Sequence, residues 1–250
     1  MRITFNNLFS TKELINSINQ YFDQLDTSIR LVSEGECDLE IIPLHLLPTE
    51  RNSSKTVFGL ITLAERRNFI AIRNDVVNIN TPIGLPYSAI INVSPLFVSK
   101  NLLEIRGDVQ LEVLEPLQII EGLRKNDLEI AIVEGCFINE EIASYYKLIP
   151  LDGREFGHFP GQGFLAIVGN KDLAIGNILR KLNKRESVIP ANIERKLMTL
   201  VDYKVNNHCE MDIDGNFHFW VHAEKGSAQV SQSTRNEIED KIKNKLDLLS

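Results

Sequence analysis

The side chains of this 250-residue chain that could do chemistry are few and dispersed. His45 stands in Ile41-Ile42-Pro43-Leu44-His45-Leu46-Leu47-Pro48, just past an apolar run. An imidazole there serves as a base or ligand, or as a hydrogen-bonded polar side chain beside a cleft. Arg106, in Ile105-Arg106-Gly107-Asp108-Val109, offers a planar fork of donors that pairs a carboxylate bidentately. It reads equally as a ligand anchor and as a structural ion-pair partner. Gly161-Gln162-Gly163 reads as a hinge, because glycine allows backbone geometry that other residues resist. Cys209 is a thiol on a half-buried strand or, with the register slipped, an attachment point. His208, His218 and His222 stand at no metal-ligand spacing with Asp or Glu. The last two alternate with aromatic residues, as on one face of a strand.

The elements that must hold these groups are marked in the sequence as well. Ser10-Thr11-Lys12-Glu13 has capping-box spacing ahead of Leu14, Ile18, Phe22 and Leu25, which predicts a helix near 11–24. Ile3 and Phe5 open a first strand, and short strands are expected at 29–32 and 39–42. Apolar, β-branched runs predict buried strands at 57–63, 69–72 and 128–133. Residues 88–93 fit a buried strand or a helix start, and 96–103 a short strand. Pro116 suits the first turn of a helix over 116–125. Residues 153–163 read as a glycine-rich surface loop, followed by a strand at 164–168 and a helix at 173–182. The tail offers a helix near 191–203, a hairpin at Asp214-Gly215 leading into a strand at 217–222, and a last helix. That helix carries Ile238, Ile242, Leu246 and Leu249 on one stripe behind a Thr234…Glu237 box. Strands alternating with helices predict an α/β chain with parallel or mixed sheets and a compact α-β-α tail.

Composition narrows the function classes. With 43% hydrophobic and 24% charged residues, the chain has the balance of a globular protein with two or three small cores. A net charge of -7 argues against a nucleic-acid surface and, less strongly, against a polyanionic ligand. No apolar run reaches the roughly 18 residues of a membrane-spanning helix. The N-terminus lacks a long apolar core, and Cys37, Cys136 and Cys209 show no paired spacing. A cytoplasmic protein with reduced thiols is the expectation.

Three stretches, taken in order, resemble a known family. Asp38-Leu39-Glu40-Ile41-Ile42-Pro43-Leu44-His45-Leu46-Leu47-Pro48-Thr49-Glu50 follows it in outline. Ile105-Arg106-Gly107-Asp108-Val109 and Phe159-Pro160-Gly161-Gln162-Gly163-Phe164-Leu165-Ala166-Ile167 follow it more closely. Together they resemble porphobilinogen deaminase (hydroxymethylbilane synthase), a transferase of tetrapyrrole biosynthesis. That resemblance implies two domains like those of type II periplasmic binding proteins plus a small α+β C-terminal domain. The implied division is 1–76 with 164–186, then 77–163, then 187–250.

It also implies roles, most of them unfilled. The family reads D-x-A-V-H-S-L-K-D-L-P-T in the first stretch, which puts His45 at the lysine and Leu46 at the catalytic aspartate. Tyr87-Ser88-Ala89-Ile90-Ile91 corresponds to S-S-L-R-R, so Ser88 is kept as a binding residue while both arginines are missing. Arg106 remains for carboxylate binding. The dipyrromethane cofactor of the family is attached through a cysteine, for which Cys209 is the candidate here, and no cofactor is expected in this chain. The expectation is a deaminase-like protein with weakened or lost activity. The alternative is a non-catalytic clamp for a tetrapyrrole precursor, another small anionic ligand or a partner protein. Either way a monomer that binds neither nucleic acid nor membrane is expected.

Overall fold

The computed structural model describes residues 2–5, 12–23, 30–32, 39–47, 55–63, 65–170, 176–181 and 183–249. The chain opens with β1 (Arg2–Phe5), α1 (Lys12–Phe22), β2 (Arg30–Val32), β3 (Leu39–Pro43) and β4 (Lys55–Thr62). It continues through β5 (Asn68–Arg73), β6 (Ile90–Val93), α2 (Lys100–Ile105), β7 (Gln110–Val113), α3 (Pro116–Arg124) and β8 (Ile130–Glu134). Then come α4 (Glu140–Tyr145), β9 (Tyr146–Leu151), α5 (Gly153–Phe156), β10 (Phe164–Asn170), α6 (Gly176–Lys181) and α7 (Arg185–Leu197). β11 (Val205–Met211), β12 (Phe217–Ala223), β13 (Gly226–Gln232) and α8 (Ile238–Asp247) close it. The fold is mixed α/β, with three sheets among the described residues.

The first sheet runs β2-β1-β3-β10-β4. β1 is parallel to β2 and β3, while β10 lies antiparallel between β3 and β4. Successive side chains of a strand point to opposite faces. Along β10, Leu165 and Ile167 therefore join Ile18, Tyr21 and Phe22 of α1 in one core, and Phe164, Ala166 and Val168 join Leu44, Leu60 and Ala191 of α7 in another. A strand covered on both faces has to be apolar throughout.

The second sheet runs β7-β6-β8-β5-β9, with β6 parallel to β7 and β8 and β5 antiparallel to β8 and β9. β8 is buried along its whole length, Ile130 and Ile132 on one face and Ala131 and Val133 on the other. The third sheet is the antiparallel meander β11-β12-β13. α7 and α8 cover it, and Ile193, Leu197, Cys209, Phe217, Phe219, Ile242 and Leu246 share one core.

Several expectations are corrected. Residues 100–105 are the helix α2 and not part of a strand. The glycine-rich 153–163 segment contains α5 and is largely buried, so it is no surface loop. β9 and β13 were not anticipated. β5, expected in the first unit, pairs in the second sheet. α7 spans Arg185–Leu197 with a buried Pro190 inside it, so it starts and ends earlier than the helix expected near 191–203. Glu237 caps α8 in a left-handed conformation (φ 58°) with no side-chain capping bond, so the Thr234…Glu237 box does not form. The Ser10…Glu13 box lies outside the described residues.

Candidate functional site

Two segments join the first sheet to the second: one between β4 and β5, the other between β9 and β10. Gln162 ties them together. The Phe159 backbone N–H donates to its Oε1 (3.1 Å), and its Nε2 donates to the Arg66 carbonyl (2.8 Å) and to Asn68 Oδ1 (3.0 Å). Arg66 reaches back with Nε to the Gln162 carbonyl, lies 4.1 Å over the Phe164 ring, and places Nη2 2.9 Å from Glu194 Oε1. Glu194, fully buried on α7, also accepts from the backbone N–H of Cys209 (3.0 Å) and of Gly161 (3.1 Å). One carboxylate thus fastens the hinge segments to the third sheet. Gly161 (φ 83°) and Gly163 (φ 76°) lie in the left-handed region that favours glycine.

The carboxyl ends of β3, β6 and β8 converge beside this junction, the place where α/β sheets present groups to ligands. His45 lies on a single 3-10 turn after β3, and Glu134 is the last residue of β8. His45 Nε2 sits 3.4 Å from Glu134 Oε1, joining the two sheets. Burial pushes the Glu134 carboxyl pKa up, partly offset by the neighbouring His45 and by a bond from Cys136 Sγ (3.8 Å). Burial also drives the Cys136 thiol well above its ordinary value, with Glu134 adding to it. Asn68 faces Glu134 across the β5–β8 register.

Alongside opens a cleft of about 540 Å³ between all three sheets. His45 and Leu47 line it from the first sheet, Pro95 and Leu96 from the second, and Phe159 from the hinge. The third sheet and α7 supply Arg195, Met198 and the run Val201 to Val205. Arg195 Nη2 donates to the Leu47 carbonyl (2.9 Å), and burial lowers its pKa. Lys204 Nζ donates to the Phe97 carbonyl (2.5 Å). The wall is apolar, with His45, Arg195, Lys204 and Asp202 as its ionisable groups apart from Tyr203.

Of the residues picked out from the sequence, only His45 lines this cleft; Gly161, Gln162 and Gly163 stand next to it in the hinge. Arg106 is buried elsewhere, with four of its five N–H groups engaged. It donates to both Asp108 oxygens (2.7 and 2.8 Å) and to the Leu85 and Pro86 carbonyls (2.9 and 2.8 Å). Those partners are the ones a structural ion pair has. Ser88 is bound to the same carboxylate through its backbone N–H (2.9 Å), and the Arg106 guanidinium holds Asp108 far below the usual carboxylate range. Cys209 is fully buried in the third core, and burial pushes its thiol well up, so it is no solvent-reached attachment point. Asp212 lies 3.1 Å from His218 Nε2 and its carboxyl is pulled down to about 2, first by Asn216 and then by His218. Among the described residues no group of three or more His, Cys, Asp or Glu could hold a metal.

Glu194, Arg195, Lys204, Asn68 and Glu134 were not singled out from the sequence. Glu134 alone left a sign, as a charge ending the apolar run Ile130-Ala131-Ile132-Val133.

No family model and no curated protein matches the chain. Solved structures do, at low similarity. A periplasmic substrate-binding protein of an ABC transporter from Coxiella burnetii is 11% identical, with a TM-score of 0.44 over 78% of this chain and 96% of that one. The effector domain of the transcriptional regulator AmpR of Pseudomonas aeruginosa is 10% identical, with a TM-score of 0.41 over 80% and 98%. YhfZ from Shigella flexneri is 9% identical, with a TM-score of 0.35 over 80% and 95%. With no family model matched, and with neighbours that include a substrate-binding protein and an effector domain but no porphobilinogen deaminase among those named, the family resemblance drawn from the three motifs, and the tetrapyrrole role with it, is corrected.

Proposed function

We propose that this chain is a binding clamp that holds a small organic anion in the cleft between its three sheets. The observation that carries the reading is the cleft itself. Its volume of about 540 Å³ falls within the several hundred Å³ typical of small-molecule sites, and its walls are apolar with few polar groups. Arg195 and Lys204 share the lining with Asp202, and Glu224 lies 3.7 Å from Lys204 Nζ, so the planar fork of Arg195 is the group that favours a ligand bearing negative charge.

The reading divides the chain into two lobes like those of type II periplasmic binding proteins and a small α+β third unit. The first and second sheets form the lobes, joined by the two hinge segments, and β11–β13 with α7 and α8 form the third unit. Ligand binding would then draw His45 and Leu47 toward Pro95 and Leu96. The test is calorimetric titration with a set of small carboxylates, benzoate and 3-phenylpropionate among them. Binding that weakens about tenfold or more in Arg195→Met or Lys204→Met is the expected result, in keeping with loss of one charge-assisted bond. Carboxylates that bind no better than their uncharged amides would remove the anion from the reading.

A further inference from the structure

Next to the cleft lies a smaller void of about 20 Å³, lined by Asn68, Ser94, Glu134 and a ring of apolar side chains. Phe159 borders both spaces, and the His45–Glu134 pair stands where they meet. A space of this size takes one water-sized group, since about 10–15 Å³ suffices for a water.

The polarity of the void is fixed by the hinge. A backbone N–H can only donate, so the Phe159 N–H sets Gln162 with its carbonyl oxygen toward that amide. The Gln162 NH₂ then faces the Arg66 carbonyl and Asn68 Oδ1, both acceptors. Asn68 is left with its NH₂ turned the other way. Among the described residues that Nδ2 has no partner, although Asn68 is only 1% exposed. An orphaned buried donor of this kind is destabilising until something accepts from it. Across the β5–β8 register stands the Glu134 carboxyl, an acceptor on the same rim.

A donor and an acceptor facing one water-sized space suit a group that accepts and donates at once. We infer that Asn68 and Glu134 form a hydroxyl-reading subsite of the cleft, so that the ligand is a hydroxylated organic acid. The inference rests on the proposed anion clamp and adds the second half of its ligand. The hydroxyl oxygen accepts from Asn68 Nδ2 and its proton goes toward a Glu134 oxygen, while the carboxylate faces Arg195 and Lys204. An analogue lacking the hydroxyl leaves Asn68 Nδ2 unpaired and Glu134 with only His45 and Cys136, and an unpaired buried polar group is a strong source of discrimination in a small site.

Calorimetric titration of the full chain with matched pairs tests this: propionate and lactate, benzoate and 3-hydroxybenzoate, 3-phenylpropionate and its 3-hydroxyphenyl analogue. The expected result is at least one pair whose hydroxylated member binds about tenfold or more tightly than its partner. That gain should vanish in Asn68→Leu while the partner's affinity stays unchanged. Because Asn68→Leu also removes an acceptor from Gln162, Glu134→Met serves as the second variant and should abolish the same gain. Equal binding within every pair would overturn the subsite, leaving a void that takes only water and leaving the anion clamp standing. No binding by any of the carboxylates would overturn the clamp itself, and the subsite with it.

Discussion

Replacing Glu194 by alanine should be among the most damaging single changes in the molecule. Its side chain is fully buried and accepts from Arg66 Nη2 at 2.9 Å, from the Cys209 N–H at 3.0 Å and from the Gly161 N–H at 3.1 Å. Truncation leaves a guanidinium that is only 18% exposed without its counter-charge, and two backbone donors without an acceptor. Each unsatisfied buried donor costs about 1–3 kcal/mol, and removing one partner of a buried ion pair costs about 3–5 kcal/mol in all. These figures overlap in part, so about 4 kcal/mol is the expected loss. Glu194→Gln should cost somewhat less, because one oxygen still accepts while the new NH₂ faces donors. Urea unfolding followed by circular dichroism gives the number directly from the shift in midpoint at unchanged slope. As a reference, Glu121→Ala breaks only an exposed pair with Lys125 on α3 and should cost less than about 0.5 kcal/mol. A Glu194→Ala midpoint as close to wild type as that of Glu121→Ala would refute the claim that this carboxylate fastens the three sheets.

Gly157 (φ 66°) should not tolerate alanine: an added Cβ would lie 2.8 Å from the Asn206 carbonyl carbon and the Asn207 nitrogen, both backbone atoms. A loss of at least about 2 kcal/mol is expected by urea unfolding, against about 1 kcal/mol of conformational strain at Gly215 (φ 82°), where a Cβ meets nothing. Burial lowers the pKa of His158, His208 and His222, so below the ordinary value of 6.5 the unfolded chain takes up protons that the folded one refuses. Stability should be fully present above that pH and fall as the pH drops through it, by up to about 1.4 kcal/mol per unit for each histidine. Urea midpoints measured from pH 7.5 down to 5.5 test this, and a flat profile would contradict it. Cys209 should resist iodoacetamide in the native protein and react once urea opens the third core, as read by peptide mass mapping. Labelling at the native rate of a free thiol would mean that β11 is not packed as described.

The strands that a reader can find in the sequence are those covered on both faces. β8 and β10 stand out because both of their faces need apolar side chains, so the run is continuous whatever the register. β9 and β13 escaped because they lie at sheet edges, where exposed positions dilute the pattern: Lys147 and Pro150 interrupt the first, Ser227, Gln229 and Ser231 the second. The 153–163 segment misled for a different reason. Its glycines look like a flexible loop, yet they are there because Leu44, Arg66, Arg195 and the backbone of β11 crowd around them. The site was legible only at His45 and at Gly161-Gln162-Gly163. Glu194 and Asn68 are ordinary polar residues in the sequence, and their importance comes from partners more than 90 positions away in the chain, Arg66 and Gln162 among them. The motif residues misled in the opposite way. Arg106-Gly107-Asp108 keeps its spacing because the arginine and aspartate pair with each other, a local need that explains the pattern without any ligand.

The position of β10 sets a timetable for synthesis. It lies at the heart of the first sheet, bonded to β3 on one side and β4 on the other, and Thr62 waits for Phe164 as its partner. The ribosome delivers residues at roughly 5–20 per second, so β3 and β4 leave it on the order of five to twenty seconds before the strand that separates them. The second sheet, built from β5 to β9, is complete in the meantime and can fold first. During that interval two apolar strands carry open edges, the form of chain most prone to pair with another copy. A nascent chain stalled before Phe164 would therefore be a finished second lobe trailing an unfinished first one, and the cell would have to shield it.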